Sequence, residues 1–381
     1  MKKYIYFLVC TAVSLFISCK KEINSHTYDL VKTNTVLSLP IDNHTRNYPK
    51  SMFFYEDKNG IEYITFQNQE RNEILLYDIA TCQLKKKIKY EIEGNNGVGF
   101  MWGYYIHNLD SIFLTSRDLP EIYLTDSSGY VKNKYLYNKA NDNINIDNYC
   151  SISFLYMPMI LKNDNLLIAR KCNRHIKPNP ICASIDLKTN EVKTYPQEYP
   201  ILPNTDNKYK KAGIELYFSR CYNNENFIYS FYYDEDLYIQ DQTHSQLIKK
   251  KAKSSFIEKV IIPDDYGKTT MKEMCEIPNY GNILYDSYRD VYYRITYPKV
   301  EIDKQIKPLE LMDFGRKRFS IMILDHNLDI IGETLFPDNT YNSTLMFVKK
   351  DGLYISDSHY LNPNFSDDVL SFRKFVLTKG E

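Results

Sequence analysis

Short apolar runs recur along the chain, each following a polar turn. They read IEYITF from Ile61, SIFLTS from Ser111, NLLIAR from Asn165, NFIYSF from Asn226, VYYRIT from Val291 and LYISDS from Leu353. All are β-branched or aromatic and short, which predicts strands rather than helices. With Ile64, Ile112, Leu167, Phe227, Val291 and Leu353 taken as equivalent points, the steps are 48, 55, 60, 64 and 62 residues. A repeat of that length suits a four-stranded unit.

Within each unit the same order recurs: an apolar strand, a turn such as Asp57-Lys58-Asn59-Gly60, the strand named above, a loop, a third strand and a fourth. Third strands end in Asp, at Asp78, Asp126, Asp186, Asp241 and Asp325. Asp bonds its own backbone two residues on, so these five read as structural turn-formers. Middle strands such as Glu73-Ile74-Leu75-Leu76-Tyr77 are continuously apolar, implying cover on both faces. The fourth strand alternates: in Gln83 to Tyr90, Lys85, Lys87 and Lys89 point away from Leu84, Ile88 and Tyr90, and Lys249 to Lys251 repeat the charge. Charged outer strands make a rim that resists edge-to-edge pairing.

Six twisted sheets of four antiparallel strands, apolar inside and charged outside, describe an all-β, six-bladed β-propeller. The last unit supplies only three strands, TLMFVKK from Thr344, LYISDS and LSFRKFVLT from Leu370. A spare strand, TVLSL from Thr35 to Leu39, lies before the first unit and is placed to pair with Leu370 to Thr378 and close the ring. Two β-sandwiches would also give short, regularly spaced strands, but they explain the missing outer strand poorly.

The first residues tell a separate story. Lys2 and Lys3 precede an apolar run from Tyr4 to Ile17, too short to span a bilayer and the right size for a signal-peptide core. It ends in Leu15-Phe16-Ile17-Ser18-Cys19, a small residue before a cysteine, and so resembles the lipobox of bacterial lipoproteins, with Phe16 where Leu is commonest. The expected division is a signal peptide over 1–18, a tether over 19–26 lipidated at Cys19, and one propeller over 27–381. Lys20 after the cysteine points to the outer membrane. Lipobox and irregular blade period together resemble the TolB-like six-bladed propeller lipoproteins, in particular an uncharacterised family of exported lipoproteins. That resemblance implies fold and address only.

Lys plus Arg equal Asp plus Glu at 48 each, so no global field favours nucleic acid, and none is expected as a partner. Tyr at 35 and Phe at 19, against 13 Gly and a single Trp, suit a strand-rich globular chain. An oxidising compartment permits disulfides among Cys82, Cys150, Cys172, Cys182, Cys221 and Cys275. Hairpin pairing symmetric about Lys177 would put Cys172 opposite Cys182 and bridge them. CxxC, His-x-x-His and HExxH patterns are absent, so no metal and no cofactor are expected.

Catalytic signatures are absent as well: no Asp box, no WD or kelch pair, no GxSxG. His244 and His326 fall in turns and read as solvated. Loops between second and third strands all emerge at one end of a propeller, together with the connections between blades. That end carries Arg71, Arg117, Asp118, Arg170, His175, Asp234, Glu235, Lys299, Asp357 and His359, and the Gly-rich connection from Gly94 to Gly103 adds Trp102, either as a ligand contact or as a wedge. The expectation is a non-catalytic binding or scaffold protein of the cell envelope. It would attach to the membrane through its lipid and hold a peptide, a glycan or an envelope protein. The alternative is a propeller hydrolase or lyase acting on glycans or lactones, which needs carboxylates such as Asp118, Asp234, Glu235 and Asp357 to converge.

Overall fold

A computed structural model describes residues 27–144, 146, 155–170, 179–199, 217–262 and 269–380. Cys19, Cys172 and His175 lie outside the described residues. Five consecutive four-stranded units cover 52–89, 101–136, 160–194, 218–251 and 279–335, each in simple meander order. A sixth begins at 342 and has three strands of its own, Asn342–Lys349, Gly352–Ser356 and Val369–Lys379. Its fourth strand comes from the other end of the chain.

That closing strand, Tyr28–Pro40, runs antiparallel to Val369–Lys379 in two stretches, Tyr28 to Lys32 opposite Lys379 to Phe375 and Val36 to Pro40 opposite Arg373 to Val369, with an irregularity between. The ladder pairs ten residues, twice the five expected from the pattern. Tyr28 also bridges Gly332 on the outer strand of blade five, and there a Cβ would lie 2.0 Å from the Tyr28 carbonyl oxygen. Only glycine lets the two backbones approach so closely.

The core is not one mass. Among the described residues, six hydrophobic clusters each draw on two neighbouring blades, from Ile64, Phe66, Leu345 and Phe347 between blades six and one round to Tyr293, Ile321, Met346 and Ile355 between five and six. Six interfaces for six blades is a closed ring, and two β-sandwiches would not produce it. Third-strand residues Glu73–Asp78 are buried throughout, whereas Lys85, Lys86, Lys87 and Lys89 on the outer strand are exposed. The Asp turns form as expected: Asp126 Oδ1 accepts from Ser128 N at 2.8 Å, Asp186 from Lys188 N at 2.8 Å and Asp241 from Ser245 N at 2.7 Å.

Three expectations need correction. His244 is not solvated: it is buried against Phe227 and Tyr195, and its Nε2 lies 2.7 Å from the Tyr229 hydroxyl, because the hairpin turn folds back under the blade interface. The ladder of blade three pairs Cys182 with Ala169, which is not the register a Cys172 bridge needs. Cys182 is a free, buried thiol whose sulfur accepts from Arg220 Nη1 at 3.4 Å. Trp102 belongs to the inner strand of blade two, Met101–Asn108, not to the connection before it.

Two short helices were not foreseen. Met271–Glu276 lies in the connection from blade four to five, and its capping box was legible as Thr270-x-x-Glu273: Glu273 N donates to Thr270 Oγ1 at 3.2 Å and Thr270 N to Glu273 Oε2 at 2.7 Å. Pro308–Asp313 opens on a proline in the second-to-third excursion of blade five. Cys275, Val300, Ile302 and Leu311 form a small separate core beneath the pair.

Candidate functional site

The loop end of the ring is where second strands stop and inner strands begin. Arg71 and Lys299 are exposed there. Arg117 donates from Nε to Asp118 Oδ1 at 3.1 Å, and its guanidinium carbon sits 4.4 Å from the Phe100 ring centre. Other candidates are built into the frame rather than presented. Arg170 is fully buried; Nη1 donates to the Pro180 carbonyl, and Nε and Nη2 have no partner. Asp234 is buried, its carboxylate accepting from the Tyr238 hydroxyl at 2.5 Å and from Asp236 N at 3.1 Å. Glu235 pairs with Lys251 at 2.7 Å, and Asp357 accepts from Ser371 Oγ and faces Arg373 at 3.5 Å.

Asp118, Asp234, Glu235 and Asp357 are thus each engaged by a neighbour in their own blade. Among the described residues, no hydrogen bond or ion pair joins two of the candidates across blades. No group of three His, Cys, Asp or Glu there could hold a metal ion. Trp102 is partly exposed on its inner strand, with a buried indole N–H that has no acceptor.

His359 is fully buried. Its Nδ1 accepts from Leu361 N at 3.2 Å, and Nε2 faces the Gly315 backbone without a hydrogen bond of normal geometry. Burial pushes its pKa down to about 4, and burial beside Arg220 pushes that of His244 to about 3. Both folded-state values lie below the ordinary imidazole value, so the unfolded chain binds protons first. Stability is complete above about pH 6.5 and falls as pH drops toward the folded values, by about 2 kcal/mol per histidine at about pH 5. Melting temperature should therefore fall between neutral and mildly acidic pH, and His359→Asn should flatten that slope; an unchanged slope in the variant would assign the acid sensitivity elsewhere.

A cluster that the loop-based reading missed links the mouth ends of blades four, five and six. The Tyr232 hydroxyl, just beyond the second strand of blade four, donates to Asn282 Oδ1 on the inner strand of blade five at 2.9 Å. The Tyr297 hydroxyl, at the end of the second strand of blade five, lies 3.1 Å from Ser343 Oγ on the inner strand of blade six. Arg316 N donates to the same Ser343 Oγ at 3.4 Å, its Nη1 donates to the Met274 carbonyl at 2.7 Å, and its guanidinium carbon is 5.3 Å from the Tyr297 ring centre.

Gly315 makes that placement feasible. Its φ is +92°, and a Cβ there would lie 2.6 Å from Ser343 N, so the excursion passes directly against the inner strand of blade six. Tyr156 joins from blade three: its carbonyl accepts from Ser219 Oγ at 2.7 Å and from Arg220 N at 2.8 Å, fixing it beside Tyr232. Burial raises all three phenols, Tyr156 to about 12 and Tyr232 well above the usual tyrosine range. They are neutral at physiological pH. Arg316 is then the ionised member of a set of neutral hydroxyls and one amide.

The profile described as "Domain of unknown function (DUF4221)" matches residues 27–335. A crystal structure of a DUF4221 member from Bacteroides vulgatus superposes with a TM-score of 0.81 at 26% identity, over 93% of this chain and 99% of that one. A protein of Bacteroides fragilis assigned as exported superposes with a TM-score of 0.54 at 9% identity, over 94% and 98% of the two chains, a likeness of fold. No curated protein sequence matches the chain.

Proposed function

Since the chain belongs to the DUF4221 family, whose profile spans most of the ring, we propose that it is a lipid-anchored propeller of the cell envelope that binds a glycan or peptide at its mouth without transforming it. The observation that carries this reading is the mouth cluster itself: Tyr232 bonds Asn282 between blades four and five, Tyr297 and Arg316 bond Ser343 between blades five and six, and Tyr232, Tyr297 and Arg316 are partly exposed over the buried Asn282 and Ser343. A rigid scaffold that gathers aromatic hydroxyls, an amide and a guanidinium at one mouth suits recognition. The absence of an unengaged carboxylate pair among the loop candidates gives hydrolysis no acid and base to work with. Export and anchoring rest on the leader and on Cys19.

Peptide and glycan arrays probed with the mature protein test the binding reading. Trp102→Ala and Arg117→Ala should weaken any captured ligand without lowering the melting temperature, and Lys188→Ala, in a hairpin turn at the opposite end, should not. Loss of binding in Lys188→Ala alone would reject this face. For the anchor, Cys19→Ala should lose all fatty-acid label in growing cells, and equal labelling of the variant would refute lipidation there.

A further inference from the structure

The two termini of the closing strand lie at opposite ends of the ring. Pro40 pairs with Val369, directly after the mouth excursion 357–368, and Ile41 N donates to the Asp368 carbonyl at 2.9 Å. Tyr28 pairs with Lys379, ten residues on from Val369 along the same strand. That terminus lies among the hairpins. Thr27 N donates to the Ile331 carbonyl at 2.9 Å, just past the turn 325–329 of blade five, and the Thr27 carbonyl accepts from Gly380 N at 2.6 Å. Thr27 is thus bonded on both sides, and the chain that leads back to Cys19 is rooted at the hairpin end.

A chain advances at most about 3.6 Å per residue, so the eight steps from Cys19 to Thr27 reach no further than about 29 Å. The closing strand supplies the length to compare. Between Tyr28 and Pro40 its partner strand advances ten residues, about 33 Å. Laid straight back along that strand, the tether ends short of the mouth. The second strand of blade one, Glu62–Asn68, itself puts roughly 20 Å between hairpin and mouth.

Charge does not compete with this geometry. Among the described residues of the hairpin end, exposed carboxylates such as Asp110, Asp164, Glu225 and Asp329 outnumber the exposed lysines. An anionic lipid surface therefore exerts no pull on that end, and the tether sets the orientation.

We infer that the ring stands on the membrane by its hairpin end and that its mouth opens away from the bilayer holding the acyl chains of Cys19. The mouth then takes a water-borne ligand, and neither a lipid nor a membrane-embedded segment of a partner. This rests on the anchored-binder reading above and narrows the source of the ligand.

The test inserts the lipidated protein into preformed vesicles of phosphatidylethanolamine and phosphatidylglycerol that carry a headgroup acceptor dye. A donor dye is placed at Asn59→Cys or Lys188→Cys in hairpins, or at Arg71→Cys or Lys304→Cys at the mouth, all exposed positions. The parent chain treated alike sets the background from the partly exposed Cys82. Sedimentation with the vesicles and a fatty-acid label report the anchor separately. Energy transfer should be at least about twice as efficient from both hairpin positions as from both mouth positions, given the roughly 20 Å between the ends. A polymer-bound maleimide should modify the mouth cysteines equally fast on vesicles and in detergent, and the hairpin cysteines more slowly on vesicles. Inserting about 16 Gly-Ser residues after Lys21 should abolish both differences, because a flexible chain of that length lets the ring turn over. Equal transfer from the two ends, stronger transfer from the mouth, or a difference that survives the longer tether overturns the inference while the anchor stands. A protein that neither sediments nor carries label overturns the anchor reading itself, and the inference with it.

Discussion

Deleting residues 35–39 should lower the melting temperature by about 7 °C, and deleting residues 20–25 should leave it unchanged. The five residues carry Leu37 and Leu39, both buried against Phe347, Leu370 and Phe372 in the cluster that joins blade six to blade one. Burying two leucines is worth about 4 kcal/mol, and the lost ladder from Val36 to Pro40 adds to it. About 5 kcal/mol in a chain of this size shifts melting by roughly 7 °C. The deletion also bares Leu370–Arg373 as an unpaired edge, so aggregation should accompany unfolding. Parallel thermal melts of the two truncations decide the matter; equal melting temperatures would mean that the ring is not held shut by this strand.

How that closure could be read from the sequence shows where such reading succeeds. A strand's face pattern repeats every two residues and its unit every sixty or so, so second strands align at Ile64, Ile112, Leu167, Phe227, Val291 and Leu353 without knowledge of any contact. A unit short of one strand and a spare strand at the other terminus then imply each other. What the pattern could not show is depth. Arg170, Asp234, His244 and His359 sit at ends of strands or in turns, where polarity ordinarily means exposure, and all four are buried. Each replaces solvent with a specific partner such as the Pro180 carbonyl, the Tyr238 hydroxyl, the Tyr229 hydroxyl or Leu361 N.

The mouth cluster was hidden for a related reason. Ser343 and Arg316 are 27 residues apart, and Tyr232 and Asn282 are 50 apart, so their adjacency is a property of neighbouring blades rather than of any local spacing. Two cues were present in the chain. The Thr270-x-x-Glu273 box and the proline at Pro308 mark two helical turns that interrupt the blade period, and Gly315 directly precedes Arg316. An interruption of a regular repeat, more than a charged loop residue, was the pointer to the site.

Arg294→Met should be among the most damaging single substitutions in the ring, at about 3–5 kcal/mol. Arg294, on the second strand of blade five, is wholly buried and carries its charge into the interface with blade four. Nη1 donates to the Glu235 carbonyl at 2.7 Å and to the Ala252 carbonyl at 2.9 Å, Nη2 to the Asp234 carbonyl at 2.7 Å and Nε to Ser230 Oγ at 3.0 Å, with the guanidinium carbon 3.7 Å from the Tyr280 ring centre. Burial pushes its pKa down to about 10, so it is still charged at neutral pH. Two effects compete on substitution. Methionine removes the cost of desolvating a cation, and it strands the Asp234 and Ala252 carbonyls, each at about 1–3 kcal/mol, while the Glu235 carbonyl keeps its bond from Ala252 N at 3.2 Å. The second effect prevails, because the cation's desolvation is already offset in the parent by four acceptors and a ring face, whereas the carbonyls are fixed by the blade-four backbone and cannot turn to water. Arg294→Lys keeps the charge and loses the fork, so it should fall between parent and Met. Guanidinium unfolding midpoints in the order Arg, Lys, Met would support the clamp; a midpoint for Met equal to the parent's would show that these bonds contribute no net stability across the interface.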